Sequence, residues 1–155
     1  MVHVFLIPSS HKIKGMEKLL SKLNYKQQKR IAVVNATGEF LASLKKTFPE
    51  LVVDSEIDQR YPYEFLLVFV RFVKQTEAIA PLALHNLVSD GVLWFAYPKK
   101  TSKKYSSDID RDHGWEGLVN AGFYPVRQVA IDDDWSALRF RNARFIKSDL
   151  SRFNK

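Results

Sequence analysis

Between Asp90 and Phe140 the chain runs through a short apolar strand, a basic Pro-Lys loop, an amphipathic segment, a second strand, a turn of three aspartates and a third strand. Few folds accommodate that order. Asp132, Asp133 and Asp134 leave so little chain between Val126–Ile131 and Trp135–Arg141 that these two strands are expected to pair antiparallel, as a hairpin. Upstream, Phe65–Val70 is apolar at every position, and so is Val92–Tyr97. Strands buried on both faces read this way in parallel sheets, where helices cover both sides. The expected architecture is an α/β sheet, mostly parallel, that closes with an antiparallel hairpin.

The remaining elements follow from periodicity and turn chemistry. Residues 1–15 hold Pro8, Ser9, Ser10 and Gly15 without a sustained period and are expected to form an N-terminal arm, with Met16 a second candidate for the natural start. Residues 16–155 are expected to form one domain. Leu19, Leu20 and Leu23 recur at helical spacing. Ile31–Val34 reads as a strand, Asn35, Thr37 and Gly38 as a turn and helix cap, and Phe40, Leu41, Leu44 and Phe48 as one helix face that Pro49 ends. A short strand, Leu51–Val53, ends at Asp54. The eleven residues from Asp54 to Glu64 have no room for another strand and helix, so they predict an extended crossover. A helix is expected from Thr76 to Val88, interrupted by Pro81, with Gly91 in the left-handed position after it. Another is expected from Ser107, with Asp108 and Asp110 in its first turn, Trp115, Leu118 and Val119 as its buried stripe, and Gly122 closing it. From Asn142 the reading is a short helix or a frayed end.

Composition narrows the function classes. A chain of 155 residues, 46% hydrophobic, can fill one core. Its longest apolar runs fall far short of the roughly 20 residues that span a bilayer, so no membrane segment is expected. Val2–Ile7 lacks a basic flank and is too short for a signal-peptide core, which makes the cytoplasm the expected compartment. Without cysteine there is no disulfide, thiolate metal site or thiol nucleophile. The net charge of +7 sits at the ends: +6 over 1–30 and +4 over 98–155, around a middle of −3. Such a field attracts nucleic acid or another polyanion, the alternative being a lysine-rich solvated surface.

The succession of elements over 31–141 resembles the class I S-adenosylmethionine-dependent methyltransferase fold, a three-layer Rossmann-like arrangement whose last two strands form a hairpin. The segments D-G-V-L-W with Pro98-Lys99, then Ser107-Asp108-Ile109, then Asp134-Trp135-Ser136-Ala137 are also similar to a family of short bacterial proteins catalogued as a domain of unknown function. That second likeness implies the fold and no activity. The methyltransferase likeness implies a Gly-rich turn after the first strand and an acidic residue about 20 positions on, for the cofactor's ribose. Here the turn is Val34-Asn35-Ala36-Thr37-Gly38, with one glycine, and Asp54 is the acid. Asn35, Gly38 and Asp54 are thus the candidate contacts for S-adenosylmethionine, although side chains at 35–37 would crowd a nucleoside. The favoured reading has no cofactor.

The candidate site read from the residues themselves is the loop Lys99, Lys100, Thr101, Ser102, Lys103, Lys104. It leaves the C-terminal end of a central strand, where open α/β sheets bind ligands, and its ammonium and hydroxyl groups suit an anion. The expectation is a non-catalytic domain that binds an anionic ligand, a nucleic acid or a protein partner there, with the methyltransferase as the alternative. Arg139 and Arg141 share a strand face with Trp135, a pattern that can stack on bases; pairing with the three turn aspartates is the preferred reading. Asp108, Asp110 and Asp112 imitate a calcium loop, but His113 and Val119 stand where its glycine and glutamate belong. His113 with Asp132, Asp133 or Asp134 is the remaining metal candidate, and no metal is expected. No nucleophile-elbow serine is present, and His3, His11, His85 and His113 are scattered, so no reaction is identified.

Overall fold

The computed structural model describes residues 15–146; the expected arm before residue 15 and the tail after 146 lie outside them. Within these bounds run α1 (15–22), β1 (Arg30–Val34), α2 (Gly38–Thr47), β2 (Val52–Asp54), β3 (Tyr63–Phe69), α3 (Val73–Asn86), β4 (Leu87–Pro98), α4 (Glu116–Asn120), β5 (Phe123–Ala130) and β6 (Trp135–Asn142), followed by a 3-10 turn at Ala143–Phe145. The six strands form one sheet in the order β2-β1-β3-β4-β6-β5. β2, β1, β3 and β4 are mutually parallel, and β6 runs antiparallel to both its neighbours, β4 and β5. This is the Rossmann-like, methyltransferase-like sheet with its terminal hairpin.

The doubly apolar strands are explained by helices on both sides. Val34, Leu66, Val68, Leu93 and Phe95 face one way and bury Ala80 and Ala83 of α3 and Trp115 and Leu118 beside and on α4. Ile31, Val33, Leu67, Trp94 and Ala96 face the other and bury Leu20, Leu23 and, on α2, Leu44. Trp94 has no exposed surface, and its indole N–H donates to the carbonyl of Leu23 at 2.7 Å, fastening the end of α1 to the sheet. Burial of Leu44 alone is worth about 2 kcal/mol. The chain passes from Asp54 to Tyr63 without a regular element, as the crossover length required.

Four local expectations are corrected. α3 extends over Val73–Asn86 and carries Pro81 inside it, and β4 starts at Leu87, so the residues around Ser89 are strand. Asp90, not Gly91, holds the left-handed conformation (φ 53°). Gly91 sits in a tight space instead: a Cβ there would lie 2.7 Å from Leu87 Cδ1, which would have to move, and 3.1 Å from the Val88 carbonyl. Ser107 does not cap a helix; α4 is only five residues long and begins at Glu116. Asp108 does cap one, but it is α3, whose Val73 amide donates to Asp108 Oδ1 at 2.7 Å. Finally, Arg141 pairs with Asp90 through two bonds of 2.8 Å, not with the turn aspartates. A carboxylate raised from the left-handed bend of the neighbouring strand reached it first.

Candidate functional site

Two regions of the sheet's C-terminal edge matter. The first is the β1–α2 turn, at the point where the chain order reverses between β1 and β3. Asn35 takes a left-handed backbone there (φ 61°), a conformation asparagine tolerates better than most residues. Its Nδ2 donates to the carbonyl of Phe69 at 3.4 Å, linking the ends of β1 and β3. Thr37 is the N-cap of α2, accepting from the Phe40 amide at 3.1 Å, and Gly38 opens the helix with clear space around its Cα. Phe40 meets Phe69 edge-on at 5.3 Å, and Phe69 meets Trp135 at 5.1 Å.

Asp54 stands level with Ala32 in the β1–β2 register, two residues short of the end of β1. Its carboxylate is engaged on the sheet: Arg30 Nε donates to it at 2.7 Å, and the hydroxyl of the buried Tyr63 donates at 2.5 Å. Arg30 also reaches Asp58 at 3.1 Å and lies over the Tyr61 ring, 4.1 Å from its centroid. Burial, then the bond to Asp54, push the Tyr63 hydroxyl up to about 12. The bonds from the Arg60 amide and from Arg30 hold Asp58 below the usual carboxylate range. Asp54 therefore belongs to a polar cluster that secures the crossover. As arranged, these residues do not fit an adenosyl group: the ribose acid is committed, and a side-chain bond closes the turn.

The second region is the loop leaving β4. Lys99 donates its amide to the Asp134 carbonyl at 2.8 Å, and Ser102 Oγ donates to Asp134 Oδ1 at 2.8 Å, so the loop is stapled to the β5–β6 turn. The amides of Lys104 and Tyr105 in turn donate to Ser102 Oγ. Thr101, Lys100, Lys103 and Lys104 are exposed. Under the loop lies a cleft of about 430 Å³ lined by Lys99, Lys100 and Lys103 and by Ser102, Ser106 and Ser107. Arg71, which follows β3, stands beside it: Nε donates to the Ser106 carbonyl at 3.2 Å and Nη2 to Ser106 Oγ at 3.3 Å, with the guanidinium 5.6 Å from the Tyr105 ring centroid. Ser106 Oγ thus accepts from Arg71 and keeps its own proton to donate. Sequence reading missed Arg71 and Ser106; the available signal was an arginine placed directly after a fully apolar strand.

A second cleft, of about 410 Å³, flanks the loop and is floored by Tyr97, Gln128 and Ser136. Gln128 Nε2 donates to the Tyr97 hydroxyl at 2.7 Å. Its rim is nearly neutral, since Lys100 pairs with Asp110 at 3.4 Å and Arg111 with Asp112 at 3.3 Å. His113 Nδ1 lies 2.8 Å from Asp110 Oδ1, and that contact, first among the causes, holds Asp110 down to about 2. Among the described residues no three His, Asp or Glu side chains converge as a metal set. No described helix is long and apolar enough to cross a membrane.

The fold just described recurs in methyltransferase structures. A SAM dependent methyltransferase from Aquifex aeolicus matches at 10% identity over 81% of this chain and 88% of its own, with a TM-score of 0.56. PigF with SAH matches at 9% identity over 91% and 68%, with a TM-score of 0.55. A putative type 11 methyltransferase from Sulfolobus solfataricus matches at 11% identity over 86% and 94%, with a TM-score of 0.50. At such identities the shared property is the fold. No protein-family model and no curated protein matches the chain.

Proposed function

We propose that the protein is a methyltransferase-fold binding domain that takes up an anionic small molecule in the cleft beneath the Lys99–Lys104 loop. One observation carries this reading: three lysines and three serines line that cleft, Arg71 stands at its side, and no carboxylate lines it. Lys99 and Lys103 supply charge, the Ser106 hydroxyl supplies a donor, and Arg71 positions Ser106 while remaining available to an oxyanion. Lys100 lines the cleft while paired with Asp110, and Thr101 and Lys104 are exposed around it, where Lys104 adds to the field that attracts the ligand. A nucleic acid or a protein partner could present the same anion.

The second reading is an S-adenosylmethionine-dependent methyltransferase with a degenerate glycine turn, using Asn35, Gly38 and Asp54. The shared fold, and PigF with SAH in particular, favours it. When bound, the cofactor would supply an electrophilic methyl group. Seating it requires Asp54 to give up Tyr63 and Asn35 to release Phe69.

Calorimetric titration separates the two. With S-adenosylhomocysteine, micromolar binding that Asp54→Ala abolishes and Lys103→Gln spares would replace the first reading with the second. Binding of inorganic phosphate or citrate that weakens in Lys103→Gln and in Ser106→Ala supports the first.

A further inference from the structure

The face of the hairpin that looks toward α1 carries three arginines, and two of them, Arg127 and Arg139, have no ion-pair partner among the described residues; the charge of Asp90, already bound to Arg141, reaches Arg139 only at a distance. Along β6, Trp135, Ala137, Arg139 and Arg141 share that face. Arg127 of β5 is the register partner of Arg139. It gets there through an irregularity: from Pro125 to Arg127 the strand advances two residues while β6 advances one, from Phe140 to Arg139. Val126 is therefore an extra residue, a bulge. In a regular ladder Arg127 would stand opposite Leu138 on the other face.

A bulge interrupts the ladder and re-aims a side chain. Here the side chain it re-aims is a cation set directly across from another cation, an arrangement that is destabilising when nothing neutralises it. Arg141 is satisfied by Asp90. Arg127 and Arg139 make no hydrogen bond or ion pair among the described residues, and Arg139 Nε is shut off from solvent without a partner. Buried guanidinium donors are normally paired. The pair lies about 13 Å along β6 from the edge that carries the lysine loop, four residues from Trp135 at 3.3 Å each.

We infer that Arg127 and Arg139 form a second anion site, which takes a phosphate-type dianion between their two guanidinium groups. Two guanidinium groups without an ion-pair partner suit a dianion, and their planar forks match its oxygens in geometry. The Arg141–Asp90 pair forms a neutral side of the site. A small phosphate ester and the backbone of a nucleic acid present the same chemistry.

The test is titration of the full chain with inorganic pyrophosphate at constant ionic strength, followed by calorimetry and by the arginine Nε–H resonances in nitrogen-15 NMR spectra. The expected result is a saturable movement of the Arg139 Nε–H signal whose midpoint weakens at least about tenfold in Arg127→Gln. Arg127 is exposed, so its replacement leaves the core intact. An Arg139 signal that titrates with the same midpoint in Arg127→Gln, or one that does not move to saturation in the wild-type chain, would each overturn the inference. A short single-stranded oligonucleotide is the second probe. If it binds more tightly than pyrophosphate at equal phosphate concentration, with the same loss in Arg127→Gln, the source is a nucleic acid; if more weakly, it is a small phosphate.

Discussion

Replacing Asp54 with alanine separates a structural carboxylate from a ribose-binding one. In the wild-type chain Asp54 accepts from Arg30 at 2.7 Å and from the hydroxyl of Tyr63, with its side chain 20% exposed. Loss of the charge-assisted bond removes about 1.5 kcal/mol, the low end of the range, because Arg30 keeps Asp58. Tyr63 has no exposed surface, so its hydroxyl proton loses its acceptor inside the protein, a further penalty of about 1–2 kcal/mol. The total is about 3 kcal/mol, or a fall in Tm of roughly 6–12 °C for a domain of this size. Urea unfolding followed by far-ultraviolet circular dichroism measures it, with Tyr63→Phe and the double variant closing a cycle. The coupling between the two sites should be about 1 kcal/mol or more. An Asp54→Ala protein that loses less than about 0.5 kcal/mol, as a surface substitution would, refutes the structural assignment.

Three further outcomes follow from the same contacts. The Tyr63 hydroxyl is raised from its ordinary 10 to about 12, so its contribution is complete below pH 10 and is lost as pH rises toward 12; Tyr63→Phe should flatten the urea midpoint over that window. Asp58 and Asp90 lie below their ordinary 3.8 and Asp110 lies at about 2, so their contribution is present above that ordinary value and is lost as pH falls toward 2. Asp90→Asn should make the acid limb of a stability–pH curve shallower. Gly91→Ala forces a Cβ against Leu87 Cδ1 and within 3.1 Å of the Val88 carbonyl; the expected loss is about 1–3 kcal/mol by thermal unfolding, and no loss would show that Leu87 can move aside.

The order of elements was legible because it rests on short-range signals. Phe65–Val70 and Val92–Tyr97 are apolar throughout, and Asp132, Asp133 and Asp134 are too short a connection for anything but a turn between two strands. The lysine loop was legible for the same reason, its charges being consecutive. What escaped were partnerships between distant residues. Asp108 caps α3 from 35 residues away, and Arg141 finds Asp90 across 51. No periodicity encodes such separations. The bulge at Val126 was hidden as well, since one extra residue shifts Arg127 from one face to the other while leaving an eight-residue strand that reads normally. Asp54 could be placed at the end of β2 from sequence, but its commitment to Tyr63 depended on where the crossover brings that ring.

The tether between Trp94 and Leu23 has a consequence for how the chain is made. The helix over 15–22, like any surface helix, takes most of its stability from the apolar face it packs against. Its indole anchor is encoded 71 residues downstream, on a strand near the centre of the sheet. As the polypeptide leaves the ribosome, this helix therefore emerges long before its docking surface exists, and its apolar stripe must wait for most of the sheet to be synthesised.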